Sequence, residues 1–299
     1  MKNLDDLTIV IVTFQTPEKI IIDCLNSINK NVNVIIVENS KIFPHENLVK
    51  SKFSNVKIFC TGENIGYGKG NNFGLEKVDS NYALILNPDV ICEEKLFDKI
   101  PNVVNKIKDF AVIGFQYSFD EIFIPAGFFD EKKNSVYRDE FKENKIESIS
   151  SVEWVTGCSM LINLKEFKNK KIFDENFFLY FEEFDLCKSL INSGKNIFTS
   201  KELKIHHLGF KSSLGEENKN HFNMIRLKDW HYMWSSFYFY KKNYNYFYAL
   251  KKLSSKFFSS FFKLIFYTII FQKHQKNKYL YRFLGLLNSM LGRPSNFRG

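Results

Sequence analysis

The sequence predicts an α/β domain with a mostly parallel central sheet flanked by helices, followed by a helical extension rich in basic and aromatic residues. Apolar runs without polar alternation recur through the first 90 residues, and helical patterns separate them. This is typical of strands that are buried on both faces of a parallel sheet. The extension is indicated by its charge, because twelve of the 42 basic residues and none of the 33 acidic ones lie at 241–299. A chain of 299 residues is long enough for both parts.

The run "TIVIVTF" (8–14) predicts the first strand. A helix should follow, with Thr16 as its cap and Pro17 in its first turn. Helical spacing predicts that this helix buries three side chains: Ile21, Leu25 and Ile28.

Three further apolar runs predict strands of the same sheet: "VNVIIVENS" (32–40), "NVKIFCTGEN" (55–64) and "YALILNPDV" (82–90). A helix-like stretch, "GNNFGLEKV", lies before the last of them. In parallel sheets, ligands bind beyond the carboxyl ends of the strands. The polar residues expected at that edge are Thr13, Glu38, Asn64 and Asp89.

The pattern weakens at 116–150, where a charged stretch with few apolar periods predicts mobile loops over a site. Order returns from about Val152, and residues 217–243 predict a helix crowded with aromatic side chains. We therefore expect a domain at 1–215, with halves at about 1–115 and 116–215. A helical region at 216–299 should follow.

Charge and cysteine usage exclude several classes of protein. Residues 1–240 carry 30 basic and 33 acidic side chains, so the sequence does not predict a nucleic-acid groove in the main domain. The five cysteines are odd in number, widely spaced and never arranged as Cys-x-x-Cys. Reduced thiols in a cytoplasm are therefore expected, rather than a disulfide framework or a zinc site. The N-terminus shows no cleavable signal pattern.

Two stretches in the first half suggest a phosphate and metal site. "NIGYGKGNNFG" (64–74) places glycines and amides between a strand and a helix, which suits nucleotide binding but also an ordinary turn. In "NPD" (87–89), Asp89 could hold Mg²⁺ or Mn²⁺ with diphosphate oxygens and water completing the shell. Taken alone, Asn-Pro-Asp is more often a turn.

Two stretches in the second half carry acids and imidazoles. "YFEEFDL" (180–186) sets three carboxylates at a helix start, where they either complement the helix dipole or, beside aromatic surface, serve as a base. "HHLGFKSS" (206–213) offers adjacent histidines, which are more often structural than catalytic. Neighbours in a strand point opposite ways, so at most one should face a metal or phosphate.

Taken together and in order, these stretches resemble the family 2 glycosyltransferases, especially the bacterial rhamnosyltransferase-like branch with the Rossmann-like GT-A fold. The resemblance covers about residues 7–213 through "IVIVTF", "IIVENS", "NIGYGKGNNFG", "LILNPDV", "VTGCSMLI", "FDENFFLYFEEFDLCKSL" and "HHLGFKSS". It implies an inverting transferase that moves a sugar from a nucleotide donor to a glycan.

The resemblance also implies roles for individual residues. Glu183 would be the general base, with Glu182 and Asp185 as alternatives. Asp89 would hold Mg²⁺ or Mn²⁺, approached by His206 or His207. The family usually has Asp at the positions of Glu38 and Glu183, so each side chain here is one methylene longer. Ten residues would bind the donor or line its cleft: Thr13, Glu38, Asn64, Gly66, Gly70, Asn71, Asn72, Asn87, Trp154 and Gly157.

The branch implies a dTDP- or UDP-linked donor, with L-rhamnose or a related deoxysugar, in O-antigen or other cell-envelope polysaccharide synthesis. The tail suggests how a polyprenyl-diphosphate-linked acceptor is reached. "KFFSSFFKLIFYTIIF" (256–271) is shorter than a usual span and is flanked by lysines. We expect it to lie on the anionic inner face of the cytoplasmic membrane. A helical hairpin packed on the domain, with its lysines in solvent, is the alternative.

Two other classes remain as hypotheses. The chain could be a degenerate nucleotide-sugar-binding scaffold that no longer turns over. It could instead bind RNA through its tail, in which case affinity would fall steeply with salt. The acid and metal motifs favour an active transferase, and no nucleic-acid partner is expected.

Overall fold

The computed structural model describes residues 1, 3–107, 109–117, 123–209 and 219–298, with only the backbone for 219–222. The chain divides into two compact units. One contains Met1–Ile65, Lys69–Phe173 and Leu186–Ser213, and we call it the sheet unit. The other, the helical unit, contains Gly66–Gly68, Asp174–Asp185 and Leu214–Gly299.

The described residues form two sheets. Their strands are β1 (Leu7–Thr13), β2 (Asn33–Glu38), β3 (Val56–Cys60), β4 (Tyr82–Leu86), β5 (Val90–Cys92), β6 (Val112–Tyr117), β7 (Ala126–Gly127), β8 (Ile149–Val152), β9 (Trp154–Val155), β10 (Ser159–Asn163) and β11 (Ile197–His207). The main sheet contains nine of these strands, in the order β3-β2-β1-β4-β10-β6-β11-β5, with β8 also pairing with β11. The second sheet pairs β7 with β9.

The expected α/β sheet is confirmed, and its first four strands are parallel. β1 pairs in parallel with both β2 and β4, and β2 with β3. The other half is mixed, because β10 runs antiparallel to its neighbours β4 and β6. All five residues of β10 are buried, as in a parallel strand, so its apolar run did not reveal its direction.

Helices cover the sheet and form the second unit. They are α1 (Glu18–Asn26), α2 (Glu46–Lys52), α3 (Tyr67–Leu75), α4 (Leu96–Lys106), α5 (Glu131–Lys142), α6 (Glu182–Asn192), α7 (Lys219–Asn243), α8 (Tyr246–Ile269) and α9 (Lys273–Met290). Two short 3₁₀ turns occur at Leu4–Asp6 and Leu164–Glu166.

The first predicted helix is present and begins one residue later than expected. Pro17, not Thr16, occupies the cap position, and its carbonyl accepts the N–H groups of Ile20 and Ile21. Fixing φ near −65° prepares proline for a helix start, and its missing N–H costs nothing there. Of the three predicted core positions, Ile21 and Leu25 are buried within the helix, and Ile28 is buried two residues beyond its end.

The expectation of mobile loops throughout 116–150 is wrong for the part occupied by α5. Asp130 caps this helix by accepting the N–H groups of Lys132 and Lys133 at 3.0 and 2.9 Å. Tyr137 is its buried side chain, so the helix lacks the apolar period by which helices are recognised. Strand β7 and parts of β6 and β8 also fall in this stretch, whereas 118–122 lie outside the described residues.

In the helical unit, α7, α8 and α9 pack together, which confirms the helical extension predicted from the sequence. Met233 and Phe237 of α7, Ala249 and Leu253 of α8 and Leu286 of α9 form its core. An ion pair between Arg282 Nε and Asp229 at 2.7 Å joins α9 to α7. No helix in the described parts of the chain combines the length and the apolar character required to cross a membrane.

Candidate active site

The predicted site residues fall into two groups, one in each unit. In the sheet unit, the ends of β1 and β2 bring Thr13 opposite Glu38, as the parallel register requires. Thr13 Oγ1 donates to Glu38 Oε2 at 2.6 Å, and both side chains are buried. Glu38 Oε1 is buried and has no hydrogen-bond partner within the protein. An unsatisfied buried carboxylate oxygen is costly. This atom is thus suited to accept a hydrogen bond from a ligand.

The glycine and amide motif is helical rather than a loop from Tyr67 onward. At Gly70, an added Cβ would lie 2.9 Å from Val12 Cγ1 and 3.2 Å from Asn39 Nδ2, so glycine lets the helix approach the ends of β1 and β2. Asn71 and Asn72 are buried beside it. Asn64, partly exposed, precedes the helix.

Two residues of this motif have structural roles in the local backbone. The Asn72 amide exchanges two hydrogen bonds with the backbone of Phe173, at 2.9 and 3.0 Å. Gly66, within the helical unit, has φ of +91°, and an added Cβ would lie 2.4 Å from the Phe178 carbonyl oxygen. Glycine is required there both for the positive φ and for the close approach. In the structure, Asn72 therefore stabilises the backbone of Phe173, and Gly66 allows the close approach to Phe178.

Asp89 and His207 are brought together in the sheet unit. The turn at 87–90 follows β4, and β5 pairs with the end of β11 so that His207 lies opposite Val90. The Asp89 carboxylate is 1% exposed, and its Oδ1 lies 3.3 Å from His207 Nε2. His206, which is adjacent in the strand, lies opposite Ile91. Of the two histidines, His207 is the one beside Asp89.

A partly buried phenol and a buried thiol lie near Asp89. Tyr117 Oη lies 2.9 Å from Cys158 Sγ, and its ring lies 5.9 Å from that of His207. Burial is the main cause that raises the pKa of Tyr117 and of Cys158, and the Asp89 charge adds to both shifts. The five cysteines are free, as predicted. A carboxylate in such surroundings attracts a cation more strongly than one in water.

The donor set at Asp89 fits a divalent ion that takes further ligands from a substrate. One carboxylate and one imidazole are ligands that Mn²⁺ and Mg²⁺ accept. Neighbouring ligands of an octahedral ion with bonds of about 2.1 Å lie about 3 Å apart, close to the 3.3 Å separation of Asp89 and His207. Within the described residues, no group of three or more His, Cys, Asp or Glu side chains could hold a metal. Substrate oxygens and water would have to complete the shell.

Three predicted binding residues lie elsewhere in the sheet unit. Asn87 begins the turn before Asp89, and its N–H donates to the Cys158 carbonyl at 2.9 Å. Trp154 donates from Nε1 to the Phe128 carbonyl at 3.0 Å. Gly157 lies, partly exposed, between β9 and β10. Only the sequence resemblance gives these residues a ligand role.

The acids of "YFEEFDL" lie at the start of α6, in the helical unit. Tyr180 and Phe181 have φ of +68° and +69°, which is rare for side chains of this size. The chain bends immediately before Glu182 and Glu183, which begin the helix. Strained conformations persist only where surrounding contacts enforce them, and they concentrate at functional sites.

The three acids have different surroundings. Asp185 is buried, and its oxygens accept from Lys242 Nζ at 2.6 Å and from Asn243 Nδ2 at 2.8 Å, which ties α6 to α7. Glu182 is 4% exposed, and its Oε2 has no hydrogen-bond partner within the protein. Glu183 is partly exposed. Asp185 therefore has a structural role, and Glu183 is the most exposed of the three acids.

The two glutamates hold their protons more tightly than exposed carboxyls do. Burial raises the pKa of Glu182 well above its ordinary value, and the charge of Glu183 raises it further. Burial also raises the pKa of Glu183 to about 7, although the N–H groups of Glu183 and Phe184 lower it. A carboxyl that titrates near neutral pH is suited to accept a proton in catalysis.

The segment that carries these acids is held by contacts that the sequence did not predict. Ser235 of α7 donates to the Leu179 carbonyl at 2.9 Å. Ser295 Oγ donates to the Asn176 carbonyl at 2.6 Å, and the Arg298 guanidinium lies 4.0 Å from the Phe178 ring. Residues 293–298, which we call the strap, therefore bind the backbone just before the acids.

His231 connects the strap to the same segment. Its ring stacks on Phe178 with centroids 4.5 Å apart, and its Nε2 lies 2.8 Å from the Phe297 carbonyl oxygen. Burial lowers the pKa of His231 to about 4, so the ring is neutral at pH 7 and its Nε2–H donates to that carbonyl. A buried neutral histidine that meets a carbonyl is structural here.

Comparison with known proteins supports a single family. The rhamnosyltransferase WbbL of Escherichia coli K12 is 27% identical over 153 residues, which are 46% of this chain and 58% of WbbL. The low-salt glycan biosynthesis hexosyltransferase Agl10 of Haloferax volcanii is 24% identical over 192 residues, 62% of this chain and 61% of Agl10. The chain thus spans about three fifths of each of these relatives.

The fold is also shared with a solved structure. Residues 1–349 of TarS from S. aureus superpose with a TM-score of 0.50 at 12% identity, covering 96% of this chain and 92% of that one. This similarity supports the GT-A fold with a helical extension. The family model described as glycosyl transferase family 2 matches residues 8–184, more than half of the chain. The chain therefore belongs to glycosyl transferase family 2.

Proposed function

We propose that this protein is an inverting glycosyltransferase that moves a sugar from a dTDP- or UDP-linked donor to a glycan acceptor in bacterial surface polysaccharide synthesis. Glu183 is the general base, and Asp89 with His207 binds Mg²⁺ or Mn²⁺. The observation that carries the proposal is the acid pair at the start of α6, which follows a strained turn and has raised pKa values.

The chemistry requires a base that is protected from water and still reachable. Glu183 accepts the proton of the acceptor hydroxyl, whose oxygen attacks the anomeric carbon while the bond to the nucleoside diphosphate breaks. Attack from the face opposite the leaving group inverts the anomeric configuration. Burial raises the pKa of the neighbouring Glu182, and the charge of Glu183 raises it further, so ionisation of the base disfavours a second negative charge beside it.

The sheet unit would bind the donor. Thr13 and Glu38 present a hydroxyl and a buried carboxylate, which suit the base and ribose of a nucleotide. A divalent ion at Asp89 would supply positive charge to the departing diphosphate.

The proposed sugar and acceptor come from the relatives. WbbL is named a rhamnosyltransferase, and this supports L-rhamnose or a related deoxysugar as the transferred group. Agl10 is named for glycan biosynthesis, and GgaB of Bacillus subtilis, 24% identical over 207 residues, for minor teichoic acid biosynthesis. Both names support a polysaccharide acceptor. We propose that this acceptor is attached to a polyprenyl diphosphate and that the enzyme is peripheral on the inner face of the cytoplasmic membrane.

A thermal-shift panel of dTDP-, UDP-, GDP- and CDP-sugars, each with Mn²⁺ and with EDTA, tests the donor. A donor at 100 times its Kd should raise the Tm by about 5 °C, because it binds only the folded state. We expect this shift for dTDP- or UDP-rhamnose with Mn²⁺ and a smaller one with EDTA. The absence of any shift across the panel would refute the proposal, and binding without transfer or donor hydrolysis would favour a degenerate scaffold.

The pH dependence of turnover should report Glu183. The base must be deprotonated, so kcat/KM should rise with pH and level off above about 7, whereas an ordinary glutamate would give a limb near about 4.3. Initial rates from pH 5 to 9 would measure this profile. The donor Kd, determined at each pH, would correct for any effect of diphosphate protonation on donor binding. A profile that is flat from pH 5 to 8 would contradict this role.

A further inference from the structure

The outer face of α8 is apolar and exposed. The helix packs into the helical unit through one face, which contains Ala249, Leu253 and Ser260. Its aromatic side chains Phe257 and Tyr267 contact α9, with ring centroids 5.0 Å from Phe283 and 5.5 Å from Tyr279. Most of the exposed apolar residues lie on the opposite face, and Phe261, which is also exposed, in addition contacts the Phe283 ring with centroids 5.6 Å apart.

These residues form a continuous stripe. From Phe258 to Ile269, spacings of three and four residues place them on one side of the helix, one above the other. Phe262 is 63% exposed, Ile269 is 68% exposed, and Phe271, just beyond the helix, is 92% exposed. Large apolar side chains are rarely this exposed together on a protein that acts alone in water. The stripe contains Phe258, Phe261, Phe262, Ile265, Phe266, Ile269 and Phe271.

Positive charge borders the stripe. No acidic residue follows Asp229 in the sequence. Lys256 and Lys263 lie on the flank of α8, over the rings of Tyr232 and Tyr279. Further exposed lysines precede and follow the stripe: Lys251, Lys252, Lys273 and Lys276. An apolar stripe with a basic border complements a surface that is apolar inside and negatively charged outside.

We propose that the stripe from Phe258 to Phe271 docks on an anionic phospholipid bilayer, with α8 lying in the plane of the interface. The apolar side chains enter the boundary between headgroups and acyl chains, and the lysines meet the lipid phosphates. This inference rests on the proposed function and extends it, because the docked surface brings the enzyme to a lipid-linked acceptor.

A bilayer fits this surface better than a second copy of the chain does. In a two-fold dimer the same patch meets itself. The lysines beside the stripe would then approach the identical lysines of the other copy, with no acidic residue from 230 onward to offset them. An anionic lipid surface supplies the missing negative charge.

Flotation of the full chain with vesicles tests the proposal. The chain should float with vesicles that contain 30 mol% phosphatidylglycerol in phosphatidylcholine, and less with pure phosphatidylcholine. The triple variant Phe262→Ser, Phe266→Ser, Ile269→Ser should lower the partition coefficient on the order of 30-fold, because three large apolar side chains no longer enter the interface. The matched control Ile42→Ser, Val136→Ser also removes exposed apolar side chains, outside the helical unit, and should float like the parent.

The outcomes separate this inference from the proposed function. Equal flotation of the triple variant and the parent would overturn the docking surface. So would a parent that sediments as a dimer and a triple variant that sediments as a monomer, because the stripe would then bind a second copy. Donor-induced thermal shift is measured on every variant. Donor binding retained with loss of flotation supports docking alone, whereas absence of donor binding in the parent refutes the proposed function and leaves the flotation result intact.

Discussion

Substitution of Glu183 by glutamine should reduce glycosyl transfer on the order of 10³-fold and leave donor binding unchanged. Glutamine has the size of glutamate and can still accept the N–H groups of Glu183 and Phe184 at the helix start, but it cannot take a proton. The loss should therefore appear in kcat. Single-turnover transfer and a donor titration by thermal shift would measure the two effects separately.

Two comparison variants sharpen this experiment. Glu175→Gln changes an exposed carboxylate in the same segment and should transfer at the parent rate. Glu182→Gln replaces a buried carboxyl, whose pKa is raised by burial and by the charge of Glu183, with an amide of the same size. If Glu182→Gln lost transfer activity while Glu183→Gln retained it, the base would be Glu182 and the assignment would be wrong.

Substitution of Asp89 by asparagine should remove the metal-dependent part of donor binding. Asparagine preserves the volume of this buried side chain, so the fold should survive, but it removes the only carboxylate that the structure places within 3.3 Å of His207 Nε2 in the described residues. We expect the variant to bind donor equally well with Mn²⁺ and with EDTA. Calorimetric titration of the donor under both conditions would measure this.

The matched control for Asp89 is Asp98→Asn, which changes an exposed carboxylate on α4. It should show the parental difference between Mn²⁺ and EDTA. An Asp89→Asn variant that still gained affinity from Mn²⁺ would show that the metal is held elsewhere. A Tm in the absence of ligand close to that of the parent would confirm that the folded state is intact.

Features that depend on one strand and its end were predictable from the sequence. An apolar run followed by a polar residue fixed where Thr13, Glu38 and Asp89 would lie, because the ends of parallel strands share an edge. The hydrogen bond between Thr13 and Glu38 follows from that register. Strand periodicity also showed that only one of the two adjacent histidines could face Asp89.

Features that depend on pairing between distant segments were not predictable. The choice of His207 follows from the antiparallel register of β11 with β5, which no local pattern reveals. The role of Asp185 follows from Lys242 and Asn243, almost sixty residues away. The positive φ values at Tyr180 and Phe181 carry no signal either, since neither residue type favours them.

The contacts of the strap limit which sequence segments can be exchanged between members of this family. The segment 174–185, which carries the proposed base, is contiguous in sequence with the α/β domain but is packed with the helices at 219–298. A chimera joined near residue 215 would keep the acids and replace the Ser295 and His231 contacts that hold their backbone. The acid segment and the C-terminal helices must therefore be inherited together, as one module that is discontinuous in sequence.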